Sequence, residues 1–292
     1  MGYEQLRKGL RVMDDHIAAL GLRASPEATT VMQMELARAF LDEEATLPFE
    51  QVYKRWDSRF KEFYDAQIVV RMISDAVTRL LPYQKPQLTA CPKLVLTGSI
   101  TQGGPPEQAR DLLYELWLAA LLVEAGFSIK LREPDIVLED NGLTQPIGIA
   151  CKYPSSEAKL HENISIGYSQ LERNGLKGFV AISFDQLLLK ITGLDKSKFL
   201  DFRQSRRHPQ ELCQSVTDQT AINLVENRSK LCPSEAPLNE IMVTVSLAGI
   251  YGEPPAFTFV GAVSFDTTPE SEIADDIRTI FEALHRLPSF RG

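Results

Sequence analysis

The sequence has few cysteines and no long hydrophobic run. Its 292 residues include four cysteines, and these are Cys91, Cys151, Cys213 and Cys232. They form no CxxC motif and have no paired histidines nearby, which argues against a zinc site and against a disulfide framework. No apolar stretch reaches the roughly 18–20 residues that a membrane-spanning helix needs, and the N-terminus lacks the apolar core of a signal peptide. We therefore predict a cytoplasmic protein without membrane contact.

An excess of positive charge is also missing. The chain has 31 lysines and arginines against 39 aspartates and glutamates, a net charge of −8, which is unfavourable for non-specific binding of nucleic acid. A locally basic groove is compatible with this balance. The main candidate is the segment 196–208, which is predicted to be helical over about 196–206 and is either a phosphate-binding surface or a solvated helix face. A second basic cluster, typical of the polar face of a helix, contains Lys54, Arg55, Arg59 and Lys61.

The stretch 111–154 has polar residues where packing alone would not place them. A helix is predicted to begin at Pro105 and Pro106 and to end at Gly126, a residue suited to a left-handed C-cap. Its apolar residues recur at helical spacing, and Glu115 lies among them. A charge on an apolar helix face is costly unless it is paired or coordinated. Glu115 is therefore a candidate metal ligand.

A strand over 127–131 and a β-hairpin are predicted to follow this helix. The hairpin has strands at 135–139 and 147–153, and an Asn-Gly pair favours the turn between them. Successive residues of a strand point to opposite faces of the sheet. Asp135 can therefore share a face with Gly148, Ala150 and Lys152. The small residues between the carboxylate and the ammonium predict an indentation.

These residues resemble the PD-(D/E)xK nuclease superfamily. The resemblance covers roughly 107–185 and comprises Glu115 on a helix, Pro134-Asp135 at a strand start, Ala150-Cys151-Lys152 on the next strand, and a helix with Gln170 before a strand over 179–185. It implies that Mg²⁺ or Mn²⁺ is held by Asp135, Glu115, an acid at position 150 and the carbonyl of Cys151. It also implies that Lys152 orients or activates the attacking water, and that Gln170 contacts the phosphate or the water.

Position 150 departs from this pattern, because alanine cannot ligate a divalent ion. One explanation is the deliberate replacement of an acid to trap an inactive enzyme. A second is migration of the acid to the next helix, with Glu157 or Glu162 as candidates and His161 nearby. A third is a natural pseudo-nuclease that binds nucleic acid without cutting it. The variant Ala150→Glu, assayed for metal-dependent cleavage, separates these explanations.

The rest of the chain predicts two further parts. Residues 1–85 are predicted to be all helical, with helices over 3–20, 27–44, 49–64 and 66–81, and residues 93–292 form the nuclease-like domain. Within that domain we predict a strand over 93–97, a flexible glycine-rich loop over 98–104, a helix over 217–229, strands over 241–250 and 257–265, and a final helix over 271–287. The predicted fold class is α/β, a restriction-endonuclease-like mixed sheet flanked by helices. The N-terminal helices and the final helix are candidate oligomerisation surfaces.

The predicted function is that of a Mg²⁺-dependent endonuclease acting on DNA, present here as an inactive Ala150 form. A role in prokaryotic antiviral defence follows from the superfamily by association only. The alternative is a nuclease-like protein that binds nucleic acid or assembles with other proteins, which the acidic charge and Ala150 both favour.

Overall fold

The structure is a computed structural model that describes residues 3–19, 29–80, 107–139, 142–185, 187, 200–201, 208–226, 240–251, 256–267 and 271–287. Helices in these ranges are α1 (Tyr3–Ala19), α2 (Thr29–Thr46), α3 (Phe49–Trp56), α4 (Phe60–Leu80), α5 (Glu107–Glu124), α6 (Glu157–Arg173), α7 (Pro209–Glu226) and α8 (Ala274–His285), with a 3-10 turn at Asp57–Arg59. Strands are β1 (Ser128–Arg132), β2 (Asp135–Glu139), β3 (Ile147–Lys152), β4 (Lys177–Ser183), β5 (Leu200–Asp201), β6 (Glu240–Tyr251) and β7 (Ala256–Thr267). None of the described helices is long and apolar enough to cross a membrane.

The strands form a mixed sheet, so the predicted α/β class is confirmed. Their order is β1-β2-β3-β4-β6-β5, and β7 pairs with β6. The pairs β1–β2 and β2–β3 are antiparallel, whereas β3–β4 and β4–β6 are parallel. The chain thus runs from α5 through three antiparallel strands and crosses over by α6 to a parallel fourth strand.

The chain separates into two compact units. The first contains residues 1–117, 193–207 and 248–259, and the second contains residues 118–192, 208–247 and 260–292. The division falls inside α5. The domain boundary that the sequence predicts, between residues 85 and 93, lies outside the described residues and stays a prediction.

In the first unit, aromatic side chains form the centre of the helical core. Phe40 lies 4.0 Å from Phe63 and 5.4 Å from Trp56, measured between ring centroids. The structure also corrects a predicted boundary, because the helices break at Asp57–Arg59 rather than near residue 65. Aspartate and serine form local hydrogen bonds that compete with the helical ladder, which favours a break at this point.

In the second unit, glycines allow the close approach of β3, β4 and α6. A Cβ atom at Gly178 would lie 1.8 Å from the carbonyl oxygen of Gly148 on the neighbouring strand, so only glycine fits there. A Cβ atom at Gly167 of α6 would lie 2.8 Å from Val180 on β4. Ser156 begins α6 as an N-cap, with its side chain accepting a hydrogen bond from the backbone N–H of Lys159.

Several predicted elements after β4 have different bounds in the structure. The predicted helix over 196–206 is wrong at Leu200–Asp201, which form a short strand paired with Gly249 and Ile250. The helix predicted over 217–229 begins earlier, at Pro209. The two strands predicted near the C-terminus are present as β6 and β7, and they join the sheet as expected. The predicted strand at 93–97 and the glycine-rich loop at 98–104 lie outside the described residues.

Helix α8 buries its apolar residues within its own unit. Ile277, Ile280 and Leu284 are buried, and Phe281 contacts Phe265 of β7 with ring centroids 5.5 Å apart. Through these contacts α8 covers part of β7. Self-association through this helix stays a prediction.

Candidate functional site

The structure brings Asp135 and Lys152 together at adjacent strands. Asp135 is the first residue of β2 and Lys152 is the last residue of β3. The Oδ2 atom of Asp135 lies 3.7 Å from the Nζ atom of Lys152. The side chains are only 19% and 9% exposed, so this ion pair is largely removed from water. The predicted location of these two residues on one face of the hairpin is therefore confirmed, whereas their direct ion pair was not predicted.

The β2–β3 register explains why these residues meet. Ile136 pairs with Ile149 in the antiparallel ladder, so one step further along the register Asp135 faces Ala150. Facing residues of antiparallel strands project to the same side of the sheet, and Lys152 projects to that side as well because it lies two residues after Ala150. Position 150 is thus flanked by both members of the ion pair.

Asp135 has a second contact that holds its carboxylate in place. Its Oδ2 atom accepts a hydrogen bond of 2.6 Å from the backbone N–H of Cys151. The side chain of Cys151 is buried, as expected for a core residue. The role that the resemblance implies for Cys151, metal ligation through its backbone carbonyl, stays a prediction.

The predicted indentation between Asp135 and Lys152 is filled by α6 and the residues around it. A Cβ atom at Gly148 would lie 2.7 Å from Leu171 and 3.2 Å from both Leu176 and Pro134. Ala150 is completely buried, and a Cβ atom at Gly167 would lie 3.3 Å from the Cβ of Ala150. The small residues of β3 therefore serve the close packing of a helix on a sheet.

Gln170 projects from α6 toward the start of β2. Its Nε2 atom donates to the carbonyl oxygen of Pro134 at 3.3 Å and to Oε2 of Glu133 at 3.4 Å. These two acceptors fix the orientation of the amide, so the remaining Oε1 atom is an acceptor. This atom is buried and has no hydrogen-bond partner among the described residues. The contact with phosphate or water that the resemblance implies for Gln170 stays a prediction.

The remaining candidate acids have different surroundings. Glu115 is half-buried on α5, within the first unit, and its predicted convergence with Asp135 stays a prediction. Glu162 pairs with Lys159 at 2.7 Å and has a side chain that is 53% exposed, and Glu157 is exposed. The Nδ1 atom of His161 is buried without a hydrogen-bond partner among the described residues.

No family model matches this chain, and no curated protein or solved structure is significantly similar to it.

The residues of this site do not form a complete metal centre. Within the described ranges, no group of three or more histidine, cysteine, aspartate or glutamate side chains is placed to hold a metal ion. The physical reason at β3 is that Ala150, which faces Asp135 across the ladder, has a methyl side chain with no electron pair to donate. Lys152 instead pairs directly with Asp135. The chain as it stands therefore does not fit the Mg²⁺ or Mn²⁺ that the resemblance implies.

The predicted basic surfaces gain little support. Arg55 pairs with Glu43 at 3.6 Å and Arg59 pairs with Glu62 at 2.9 Å, so two cations of the first basic cluster are neutralised by nearby acids. Arg59 also lies over the ring of Trp56, 4.8 Å from its centroid. The segment 196–208 lies outside the described residues except for Leu200, Asp201 and His208.

Sequence reasoning missed a buried carboxylate at the end of β4. Asp185 is 3% exposed, and its Oδ1 atom accepts a hydrogen bond of 2.6 Å from the backbone N–H of Ser246. It thereby ties the chain after β4 to β6. The sequence feature that could have identified Asp185 is its position directly after a buried apolar strand, where a carboxylate needs a hydrogen-bond donor.

Proposed function

We propose that this chain is a nuclease of the PD-(D/E)xK type, an enzyme that hydrolyses phosphodiester bonds of DNA, and that Ala150 makes the present sequence its inactive form. The observation that carries the proposal is the ion pair between Asp135 on β2 and Lys152 on β3, next to position 150, which faces Asp135. A carboxylate and an ammonium that flank a third acid position are the side-chain types that this chemistry requires.

The order of elements supports the same proposal. A helix, three antiparallel strands, a crossover helix with Gln170 and a parallel fourth strand follow one another as the resemblance implies. We therefore also propose that this chain has the fold of restriction endonucleases. A sheet of this kind serves many functions, so the assignment depends on the site residues rather than on the topology.

In this proposal, Lys152 supplies a fixed positive charge. An ammonium group of low exposure stabilises negative charge on a phosphate or on an attacking hydroxide more strongly than an ammonium in bulk water does. Asp135 is held by the N–H of Cys151, which limits its rotation. Gln170 orients the carbonyl of Pro134, immediately before Asp135, and acts as a positioning residue.

Restoring an acid at position 150 tests the proposal. We expect Ala150→Glu to cleave plasmid DNA in the presence of Mg²⁺ or Mn²⁺, at least about a hundredfold faster than Ala150→Gln, because a metal ligand contributes several kcal/mol to the barrier. Ala150→Gln is the matched control, since it has the same size and no charge. The double variant Ala150→Glu/Lys152→Met should lose the restored activity. A folded Ala150→Glu protein that cleaves neither DNA nor RNA with either metal would rule out the nuclease assignment.

A second candidate is a nuclease-like protein that binds nucleic acid or other proteins without catalysis. The net charge of −8 and the direct ion pair of Asp135 with Lys152 favour it. It predicts that DNA or a protein partner binds the unmodified chain with the same affinity as Ala150→Glu, with and without metal. Cleavage of DNA by Ala150→Glu would show that the site is built for catalysis and would exclude a function limited to binding.

A further inference from the structure

The ammonium group of Lys152 has hydrogen-bonding capacity that its neighbours leave unused. Lys152 is 7% exposed. Its Nζ atom lies 3.7 Å from Oδ2 of Asp135, which makes an ion pair but is too long for a hydrogen bond. No other described residue accepts a hydrogen bond from this ammonium. Three N–H donors on so buried a residue therefore need acceptors that the described part of the chain does not supply.

The backbone of β3 holds the carboxylate of Asp135 at this distance from the ammonium. The same Oδ2 atom that faces Lys152 accepts a hydrogen bond of 2.6 Å from the backbone N–H of Cys151. The charges of Asp135 and Lys152 attract one another, and this hydrogen bond competes with a closer approach. The ion pair thus leaves the N–H groups of Lys152 available to a second negative group.

Helix α6 covers the side of the sheet from which Lys152 projects. Gly148 packs against Leu171, and Ala150 packs against Gly167. Continued along β3, this correspondence places Lys152 level with about residue 163, and α6 begins roughly 9 Å further along its axis. The ammonium therefore lies toward the N-terminal end of α6, which is the positive end of the helix dipole. It is not among the described atoms that are fully buried without a hydrogen bond, so it remains accessible.

The charges around this position favour a compact anion. Lys159 in the first turn of α6 pairs with Glu162 at 2.7 Å, and Glu157 is exposed, so that its charge is screened by water and salt. Asp135 is the one close negative group that this geometry identifies. An ammonium with three free donors acts as a point charge, a type of group that commonly binds phosphate.

We propose that Lys152, in the chain as it stands with Ala150, binds a phosphate group directly and without a metal ion. The identity of the anion as phosphate rests on the proposed nuclease function, whereas the unused donors of Lys152 do not depend on it. In this binding mode Asp135 repels the ligand. Neutralising Asp135 should therefore strengthen binding, whereas it would weaken a contact made through a metal that Asp135 holds.

Phosphorus NMR titrations in EDTA test this site with two small probes. Thymidine 5′-monophosphate carries a terminal phosphate, and the dinucleotide TpT carries an internal phosphodiester. The pH is about 8, where a terminal phosphate is mainly a dianion. The variants are Asp135→Asn, which keeps an oxygen that can accept from Cys151, and Asp135→Asn/Lys152→Met, which removes both charges. The matched control is Lys177→Met/Glu272→Gln, an exposed ion pair of 3.3 Å.

We expect the unmodified chain to bind the monophosphate with a Kd on the order of millimolar. Asp135→Asn should tighten this binding about three- to tenfold, because it removes a negative charge roughly 5 Å from the phosphate. Asp135→Asn/Lys152→Met should bind at least about tenfold more weakly than Asp135→Asn, and the control variant should change the Kd less than about twofold. Thermal unfolding shows whether each variant is folded during the titration.

The two probes distinguish the source of the phosphate. Binding of the monophosphate alone supports a site for terminal phosphates, and binding of both supports a site for any phosphate of a nucleic acid. Weaker binding by Asp135→Asn, equal binding by Asp135→Asn and the double variant, or no binding of either probe at about 20 mM would overturn the inference. Cleavage by Ala150→Glu combined with any of these results would leave the nuclease assignment intact and reject the metal-free phosphate site alone.

Discussion

Placing a carboxylate at position 150 should destabilise the protein without metal and allow Mg²⁺ to restore the lost stability. Asp135 faces position 150 across the β2–β3 ladder, and facing Cβ atoms in such ladders are about 4.5–5.5 Å apart. Two carboxylates at about 5.5 Å repel by roughly 3 kcal/mol at an effective dielectric constant of about 20. Lys152 already pairs with Asp135 at 3.7 Å and can neutralise only one of them.

The expected net cost is about 2 kcal/mol relative to Ala150→Gln, because Lys152 offsets part of the repulsion. For a protein of this size, that cost lowers the melting temperature by roughly 3 °C. A ligand at a hundredfold excess over its Kd returns about 2.7 kcal/mol, so saturating Mg²⁺ should cancel the loss. Both variants bury a side chain of the same length, and their difference therefore isolates the charge.

The measurement is thermal unfolding of Ala150→Glu and Ala150→Gln in EDTA, Mg²⁺ and Ca²⁺. The readout is the difference between the two variants in each condition. The double variant Ala150→Glu/Asp135→Asn should remove both the destabilisation in EDTA and the response to metal. If Ala150→Glu and Ala150→Gln melt together in EDTA and neither responds to a divalent ion, the carboxylates do not converge and the reasoning fails.

Three further predictions concern the fold. Burial lowers the pKa of His16, so the stability that its neutral form contributes is full above the unfolded pKa of about 6.5 and is lost as the pH falls through the folded pKa. Between about pH 8 and pH 5, the free energy of unfolding in urea should therefore fall less for His16→Leu than for the unmodified protein, and an equal fall in both would contradict this role of His16. Asp276 is 2% exposed and accepts hydrogen bonds from the N–H and the hydroxyl of Thr144 at 2.7 and 2.6 Å. Asp276→Ala should therefore lower the free energy of unfolding in urea by about 2–4 kcal/mol, and a loss below about 0.5 kcal/mol would show that these hydrogen bonds do not stabilise the fold. Gly167→Ala should lower the free energy of unfolding by about 1–3 kcal/mol because its Cβ would lie 2.8 Å from Val180. The double variant Gly167→Ala/Val180→Ala should lose less than the sum of the two single losses, and simple additivity would show that the two side chains do not collide.

Local pattern predicted much of the second unit. The helix ending before Gly126, the strand over 135–139 and the hairpin turn at Gly142 all follow from periodicity and from residues that suit positive φ angles, and both glycines have such angles. Period-two alternation was sufficient to place Asp135 and Lys152 on one face. These predictions succeeded because each depends on residues that are close in sequence.

Other features depend on contacts between distant segments. The sequence predicted an indentation at Gly148 and Ala150, since small residues leave space on a strand. In the folded chain that space is occupied by α6 and by Leu176 after it, and the small residues permit close packing. The direction of the Gln170 amide is equally non-local, because the carbonyl of Pro134 across the fold determines which end points inward. The pairing of Leu200–Asp201 with β6 overrode a helical pattern for the same reason.

By itself, the sequence determined which residues could serve as acid, base and cation, because side-chain chemistry and strand periodicity are local properties. Tertiary structure decided that Asp135 and Lys152 neutralise one another beside Ala150, that α6 packs against the small residues of β3, and that Gln210 and Gln214 of α7 donate to backbone carbonyls of β7. Those outcomes depend on distances between segments far apart in the chain, and such distances are set by close packing, which composition and spacing do not specify.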